Sequence, residues 1–127
     1  MHKTAISIKN IKKTYRVGFW GKPFIALQDL SLEVEEGEIL GYLGPNGSGK
    51  TTTFKVLLDL IRPDSGHIEI FGQPGGRAAR KRIGFLPENP YFYMYLTAFE
   101  SLHFHGQLKG MSSLERKRRI PELLKLV

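Results

Sequence analysis

The stretch from Gly44 to Thr51 constrains the fold more than any other part of this 127-residue chain. Its sequence, GPNGSGKT, fits G-x-x-x-x-G-K-[ST] at every fixed position. The run at residues 39–43 is apolar on both faces, which predicts a strand buried in a parallel sheet. Apolar residues then recur at helical spacing from Phe54 to Ile61, and Pro63 is expected to end that helix. The chain is therefore predicted to contain a strand–loop–helix unit of an α/β fold.

The glycine-rich loop has the chemistry of an anion site. Its glycines allow successive backbone N–H groups to point inward, and the helix that begins near Lys50 directs its positive dipole end to the same place. The Lys50 ammonium adds a charge suited to the β- and γ-phosphates of a nucleotide. The Thr51 hydroxyl is an oxygen ligand of the kind that Mg²⁺ prefers. A glycine-rich turn with an exposed lysine is the weaker alternative.

The segments that precede this unit are predicted to be antiparallel strands with one face exposed to solvent. Apolar and polar residues alternate at residues 6–8 and again at residues 30–35. Gly18 to Phe24, a stretch that includes Phe19 and Trp20, is predicted to be a loop from its glycine and proline content. Further along, His67–Phe71 and Ile83–Leu86 are predicted to be strands, with a loop at residues 72–76 and a short basic stretch at 77–82.

After residue 91 the sequence predicts helices. Thr97 and Glu100 have capping-box spacing, and Gly110 is a suitable stop for the helix that they begin. The capping-box spacing recurs at residues 112 and 115, and Pro121 fits the first turn of a final helix.

Composition excludes several classes of protein. The absence of cysteine rules out a disulfide scaffold, a zinc ribbon and thiol catalysis. No apolar run approaches the length of a membrane helix, and residues 1–9 alternate with charge, so we expect no signal peptide. The net charge of +7 is concentrated in residues 72–127, which carry 10 Lys and Arg against 4 Asp and Glu. That excess permits a polyanionic partner, although a solvated surface is the simpler interpretation.

Read with its flanks, the chain resembles the ATP-binding domain of ABC transporters. The resemblance covers nearly the whole chain and is closest to bacterial exporters whose ATPase is a separate subunit. It rests on PNGSGKTT at residues 45–52, GEI at 37–39, PDSGHI at 63–68 and IGFLPE at 83–88. It implies an α/β fold with a P-loop NTPase core, an N-terminal antiparallel β-subdomain and the beginning of a helical subdomain.

The resemblance also implies roles for individual residues. Tyr15 matches the aromatic residue that stacks on adenine, and the phosphates of ATP with Mg²⁺ would be held by a set of loop residues: Gly44, Pro45, Asn46, Gly47, Ser48, Gly49, Lys50, Thr51 and Thr52. Lys50 would be catalytic and Thr51 a metal ligand. Glu88 stands where the family has glutamine; its carboxylate is still a hard oxygen ligand, so we expect it to act catalytically through the metal. A surface glutamate in a coupling loop is the alternative.

By the same resemblance, residues 1–92 would form the β-subdomain with the nucleotide-binding core, and residues 93–127 the start of the helical subdomain. The region near residues 88–95, with its tyrosines, would contact a membrane-spanning permease subunit; core packing is the alternative for these rings. A second ATPase protomer would complete a nucleotide sandwich. The protein would lie in the cytoplasm, on the inner face of the membrane, and no nucleic acid is expected.

Several parts of the family pattern are not found in the chain. It has no Ser-Gly-Gly signature loop, no apolar strand ending in the family's Asp and Glu, and no switch histidine, since His103 and His105 fall on a predicted helix surface. We therefore expect the N-terminal part of a longer ATPase, with turnover near background for this chain by itself. The alternatives are another P-loop NTPase such as a GTPase or small-molecule kinase, a polyanion-binding module based on the clusters at 77–82 and 116–119, or a nonfunctional remnant.

Overall fold

The computed structural model describes residues 3–16, 18 and 21–127. Phe19 and Trp20, in the loop predicted from glycine and proline content, lie outside the described residues. The described chain divides into two compact units, 1–84 and 85–127. No helix within it combines the length and the apolar character needed to cross a bilayer.

The first unit is built on an antiparallel sheet. In chain order its elements are β1 (Thr4–Arg16), β2 (Pro23–Glu35), α1 (Lys50–Leu57), β3 (Ser65–Ile70), β4 (Gln73–Pro74) and α2 (Arg77–Arg80). The strands lie in the order β2-β1-β3-β4. The long strands β1 and β2 pair from Thr4↔Glu35 to Arg16↔Pro23, with several irregularities in the register. The predicted strands at residues 6–8 and 30–35 are both present, and exposure alternates as expected along residues 30–35. At residues 6–8 the expected exposed face is wrong, because Ser7 is buried and its hydroxyl donates to Glu33 of β2.

The interior of this unit lies between the sheet and α1. Ile8, Ile11 and Leu27 from the long strands are buried with Val56 of α1. Fully burying an aliphatic side chain contributes about 1.5–3 kcal/mol, so this cluster anchors α1 on the sheet. The carbonyls of Lys9 and Asn10 lie against Gly66, where a Cβ would come within 2.6 Å of either oxygen. β3 can therefore approach β1 closely only with glycine at this position.

Two predicted strands are wrong. The described residues form no strand at 39–43, and the side chains of Ile39 and Leu43 are 98% and 93% exposed. Residues 83–86 likewise form no strand. A strand is stable only with a partner that supplies the other half of its hydrogen bonds, and no strand in the described chain pairs with either segment.

Other boundaries also differ from the sequence-based expectation. α1 ends at Leu57, well before Pro63, and the backbone turns left-handed at Asp59, with φ of 53°. The predicted loop at 72–76 contains β4, which pairs with β3 across a two-residue turn. Phe71 and Gly72 in that turn both have positive φ, as the tightest hairpin turns require.

The second unit contains the helices α3 (Ala98–Leu108) and α4 (Ser113–Leu124). Both predicted capping boxes are present, on Thr97 with Glu100 and on Ser112 with Glu115. Gly110 ends α3 with φ of 76°, as predicted. The expectation of a separate helix beginning at Pro121 is wrong, since α4 continues through this proline.

The predicted solvated face at residues 116–119 is also partly wrong, because Arg116 is buried against α3. Its guanidinium donates to the carbonyl oxygen of Met111 and, at 3.4 Å, to His103 Nε2. Its methylene groups pass close to Gly106, where a Cβ would come within 2.9 Å of Arg116 Cδ. His105 is exposed as predicted, whereas His103 is only half-exposed and stacks on Phe99.

Candidate functional site

The glycine-rich loop folds back on itself immediately before α1. Gly47 and Gly49 adopt left-handed backbone conformations, with φ of 84° and 91°, which side-chain-bearing residues rarely adopt. Between them, the N–H of Ser48 donates to the carbonyl of Pro45 at 3.2 Å. The residues from Gly44 to Ser48 are exposed, so the backbone amides of the turn are accessible to a ligand.

The Lys50 side chain crosses the loop that precedes it. Its Nζ donates to the carbonyl oxygen of Gly44 at 2.5 Å and to that of Pro45 at 2.8 Å. An ammonium group has three donors and rotates freely about its stem, so it can also contact a phosphate oxygen. The lysine of the motif is therefore joined directly to the first two residues of the motif, and a positive charge lies at the loop.

The N-terminus of α1 opens onto this loop. Gly49 is the N-cap and offers no side-chain cap, and the first turn contains no acidic residue. The amides of the first turn, on Lys50, Thr51 and Thr52, have no acceptor within the helix. Together with the helix dipole they favour an anion at this position. Thr51, an exposed residue that carries a hydroxyl, lies in the same turn.

A network below the loop was missed by the sequence reasoning. The buried Thr53 donates to the carbonyl of Gly49 from both its backbone N–H, at 2.8 Å, and its hydroxyl, at 3.1 Å. The hydroxyl of Tyr42 lies 3.2 Å from that of Thr53, and the Tyr42 ring packs edge-on against Phe54. The apolar pattern at 39–43 predicted Tyr42 to be a core residue of a strand, so it did not indicate the hydrogen bond between Tyr42 and Thr53.

The loop also rests against the sheet through Gly49. A Cβ at this residue would lie 2.5 Å from the carbonyl oxygen of Ala26 and 2.7 Å from Leu27 Cδ2. A Cβ at Gly44 would lie 2.6 Å from Ser48 Oγ. Because the Ala26 carbonyl is backbone, a side chain at Gly49 would push the loop away from the sheet and disturb the arrangement of amides that a triphosphate requires.

Tyr15 lies near the end of β1, opposite Phe24 of β2, and is half-buried. Phe24 is two residues before Ala26, the residue that contacts Gly49. The strand rises about 3.3 Å per residue, so the Tyr15 position is offset from Ala26 by about 7 Å along the ribbon. Tyr15 therefore belongs to the same part of the first unit as the loop. The Lys13 ammonium lies 5.9 Å from the centre of its ring, within reach of a cation–π contact.

Glu88 belongs to the second unit. It lies at an exposed bend in a segment without helix or strand. The side chains of Tyr91, Phe92, Met94 and Tyr95 that follow are also exposed. Tyr93 is also 49% exposed, and its ring packs edge-on against Phe104 of α3.

The described residues contain no cluster of three or more acidic or histidine side chains that could enclose a metal ion. Mg²⁺ rarely needs such a cluster, because it keeps several waters and is usually held by one or two protein oxygens together with substrate phosphates. The exposed Thr51 hydroxyl beside the amide-lined loop fits that requirement.

Comparison with known proteins gives one consistent family. A family model described as ABC transporter matches residues 27–127. An uncharacterized ABC transporter ATP-binding protein of Nostoc sp. is 44% identical, over 98% of this chain and 38% of its own length. The SkfA peptide export ATP-binding protein of Bacillus subtilis is 37% identical, over 96% of this chain and 49% of its own.

A solved structure of similar fold is a dimeric ATP-binding cassette in a post-hydrolysis state, bound to ADP and Pi. It is 30% identical with a TM-score of 0.76, covering 94% of this chain and 56% of that one. The likeness confirms the predicted α/β fold with a P-loop NTPase core. The chain thus spans about a third to a half of the curated relatives it matches. Neither a GTPase or kinase nor a separate polyanion-binding module is favoured by these matches.

Proposed function

Because the chain belongs to the ABC transporter family, we propose that it provides the ATP-binding site of an ATPase that powers transport across a membrane. The observation that carries this proposal is the joint presence, at one loop, of the Lys50 ammonium and the amides of the first turn of α1. A triphosphate tail needs dispersed positive charge and N–H donors that are already aligned. Gly44 to Thr52 supply both.

The proposed ligand of this arrangement is ATP with Mg²⁺. Lys50 neutralises the β- and γ-phosphates, and the amides of the loop hold their remaining oxygens. Thr51 provides the protein oxygen for Mg²⁺, and the family resemblance assigns Glu88 a catalytic role through the metal. When bound, Mg²⁺ orients the phosphates and neutralises charge that develops during phosphoryl transfer. Tyr15 offers a flat aromatic face for the adenine base.

The wider assembly is proposed on the same basis. Residues 1–92 form the β-subdomain and nucleotide-binding core, and residues 93–127 begin the helical subdomain. The exposed aromatic side chains within residues 88–95 support contact with a membrane-spanning permease subunit, since aromatic residues are enriched at protein interfaces. A second ATPase protomer completes the nucleotide site. The protein acts on the cytoplasmic face of the membrane and does not bind nucleic acid.

Nucleotide binding by the chain tests the proposal directly. The wild-type chain is titrated with a fluorescent ATP analogue in the presence of Mg²⁺, and unlabelled ATP and GTP compete for the site. We expect ATP to compete and Lys50→Ala to weaken binding by about 10- to 100-fold, the value of one or two hydrogen bonds to a charged group. Lys55→Ala, which removes an exposed lysine from the last turn of the same helix, is the matched control. Unchanged affinity in Lys50→Ala would refute the site.

A further inference from the structure

Asp64 joins the turn between α1 and β3 to the end of β1. Its Oδ1 accepts a hydrogen bond from Lys13 Nζ at 3.0 Å, and its Oδ2 accepts one from the backbone N–H of Thr14 at 2.6 Å. Its own N–H donates to the carbonyl of Lys12 at 2.8 Å. One residue of the turn thus contacts each of the three residues that precede Tyr15.

The contacts of Asp64 take the place of sheet hydrogen bonds at the end of β1, beyond the last residue that pairs with β3. The pairing of β1 with β3 ends at Lys12↔Ser65, so beyond that point β1 is paired only with β2 among the described strands. The β1–β2 register is irregular on both sides of Lys13. Alternate residues of a strand direct their backbone groups to the same side, so the Thr14 N–H points to the side from which β3 has ended. The Asp64 carboxylate supplies its acceptor there.

The ion pair between Lys13 and Asp64 also favours the ionised form of the Asp64 carboxyl group. The side chain of Lys13 is only 17% exposed, whereas that of Asp64 is 44% exposed. The hydrogen bond from Lys13, followed by that from the Thr14 backbone, lowers the pKa of the Asp64 carboxyl below its ordinary value. Asp64 is therefore ionised at neutral pH and holds the Lys13 ammonium beside the Tyr15 ring.

We propose that Asp64 is a positioning residue for the nucleotide base. Through Thr14 and Lys13 it fixes the end of β1 and, with it, the orientation of the Tyr15 ring. This inference rests on the proposed function, in which Tyr15 contacts adenine. It assigns Asp64 a part in affinity for the base and none in affinity for the phosphates, which bind at the loop and the N-terminus of α1.

Two ligands separate these contributions: MgATP, and inorganic tripolyphosphate with Mg²⁺, which lacks the base and the ribose. Stacking of a base on an aromatic side chain changes affinity by about 5- to 150-fold, so partial misplacement of Tyr15 by Asp64→Asn should weaken ATP binding by about 3- to 10-fold. Tripolyphosphate affinity should not change. Asp59→Asn is the matched control, because it removes the same charge from the same connection and leaves the contacts to residues 12–14 intact.

A second variant separates positioning from a merely structural role. Tyr15→Ala should weaken ATP binding more than Asp64→Asn does, and adding Asp64→Asn to Tyr15→Ala should then have no further effect. Unchanged ATP affinity in Asp64→Asn, an equal loss for both ligands, or an undiminished effect in the Tyr15→Ala background would each overturn the inference alone. If the wild-type chain binds neither ligand, the proposed function fails and this inference fails with it.

Discussion

The hydroxyl of Tyr42 lies 3.2 Å from the hydroxyl of Thr53, which in turn donates to the carbonyl of Gly49. The two residues lie on either side of the glycine-rich loop in sequence, so this chain of hydrogen bonds closes the loop at its base. Because the amides of Lys50, Thr51 and Thr52 are then oriented by a fixed turn, the geometry of the proposed phosphate site depends on groups that would not touch the ligand.

Removing the Tyr42 hydroxyl tests this dependence. Tyr42→Phe keeps the edge-on ring contact with Phe54 and removes one hydrogen bond. We expect a loss of about 0.5–1.5 kcal/mol in the free energy of unfolding, measured by urea titration. Thr53→Val should cost more, about 1–3 kcal/mol, because it also removes the side-chain donor to Gly49 at a buried position. An unaltered unfolding midpoint in both variants would show that the tie contributes nothing.

The two left-handed glycines of the loop offer a matched comparison. Gly47→Ala meets no atom within 4 Å, so its cost is that of the backbone conformation alone, about 1–2 kcal/mol. Gly49→Ala adds a collision with the Ala26 carbonyl and the Leu27 side chain, which costs a further ~1–3 kcal/mol.

Thermal unfolding of the two variants measures the difference. Gly49→Ala should melt at a lower temperature than Gly47→Ala, and it should also displace the loop from β2, with weaker binding of ATP. Equal melting temperatures would mean that Gly49 does not lie against the sheet as the structure has it.

Local patterns predicted the structure well where the physics is local. The capping boxes of α3 and α4 depend on residues three positions apart, and the stop at Gly110 depends on the freedom of one residue. The two long strands and the alternation along residues 30–35 were also predicted correctly, because both partners of that pair lie within the chain. The motif located the loop and the beginning of α1 for the same reason.

The errors arose where a segment depends on distant partners. The run at 39–43 has strand composition, but hydrophobicity alone does not provide the backbone hydrogen bonds of a second strand. Arg116 was counted with an exposed basic face, because its burial depends on the space that Gly106 leaves in another helix. The contacts of Asp64 and of Thr53 likewise join residues that no short pattern relates.

Arg116 should therefore differ sharply from its basic neighbours. Arg116→Ala removes the hydrogen bonds to Met111 and His103 and leaves a void beside Gly106. We expect a loss of about 2–4 kcal/mol in the stability of the α3–α4 unit, from lost bonds to a charged group and from the void. Arg118→Ala, at an exposed position of the same helix, should cost less than about 0.5 kcal/mol. Hydrogen exchange of the amides of α3 and α4 measures both, and similar protection in the two variants would contradict the burial of Arg116.

Lowering the pH should destabilise α3 and α4, because the carboxylates of their capping boxes become protonated. The pKa of Glu100 is lowered from 4.5 mainly by the backbone N–H of Thr97, and that of Glu115 from 4.5 mainly by the Ser112 side chain. Since both carboxyls have a lower pKa in the folded chain than in the unfolded one, their stabilisation is complete above pH 4.5. It is lost as the pH falls through the lower, folded values.

The measurement is helical ellipticity followed from about pH 6 to about pH 3, a range that spans the ordinary pKa of glutamate. The wild-type chain should lose helix below pH 4.5, and the double variant Glu100→Ala with Glu115→Ala should begin with less helix and lose less of it. Glu122→Ala is the control, because Glu122 pairs with Arg119 on the surface of α4 and does not cap a helix. Parallel acid profiles for the wild type and the double variant would show that the capping carboxylates are not the groups that titrate.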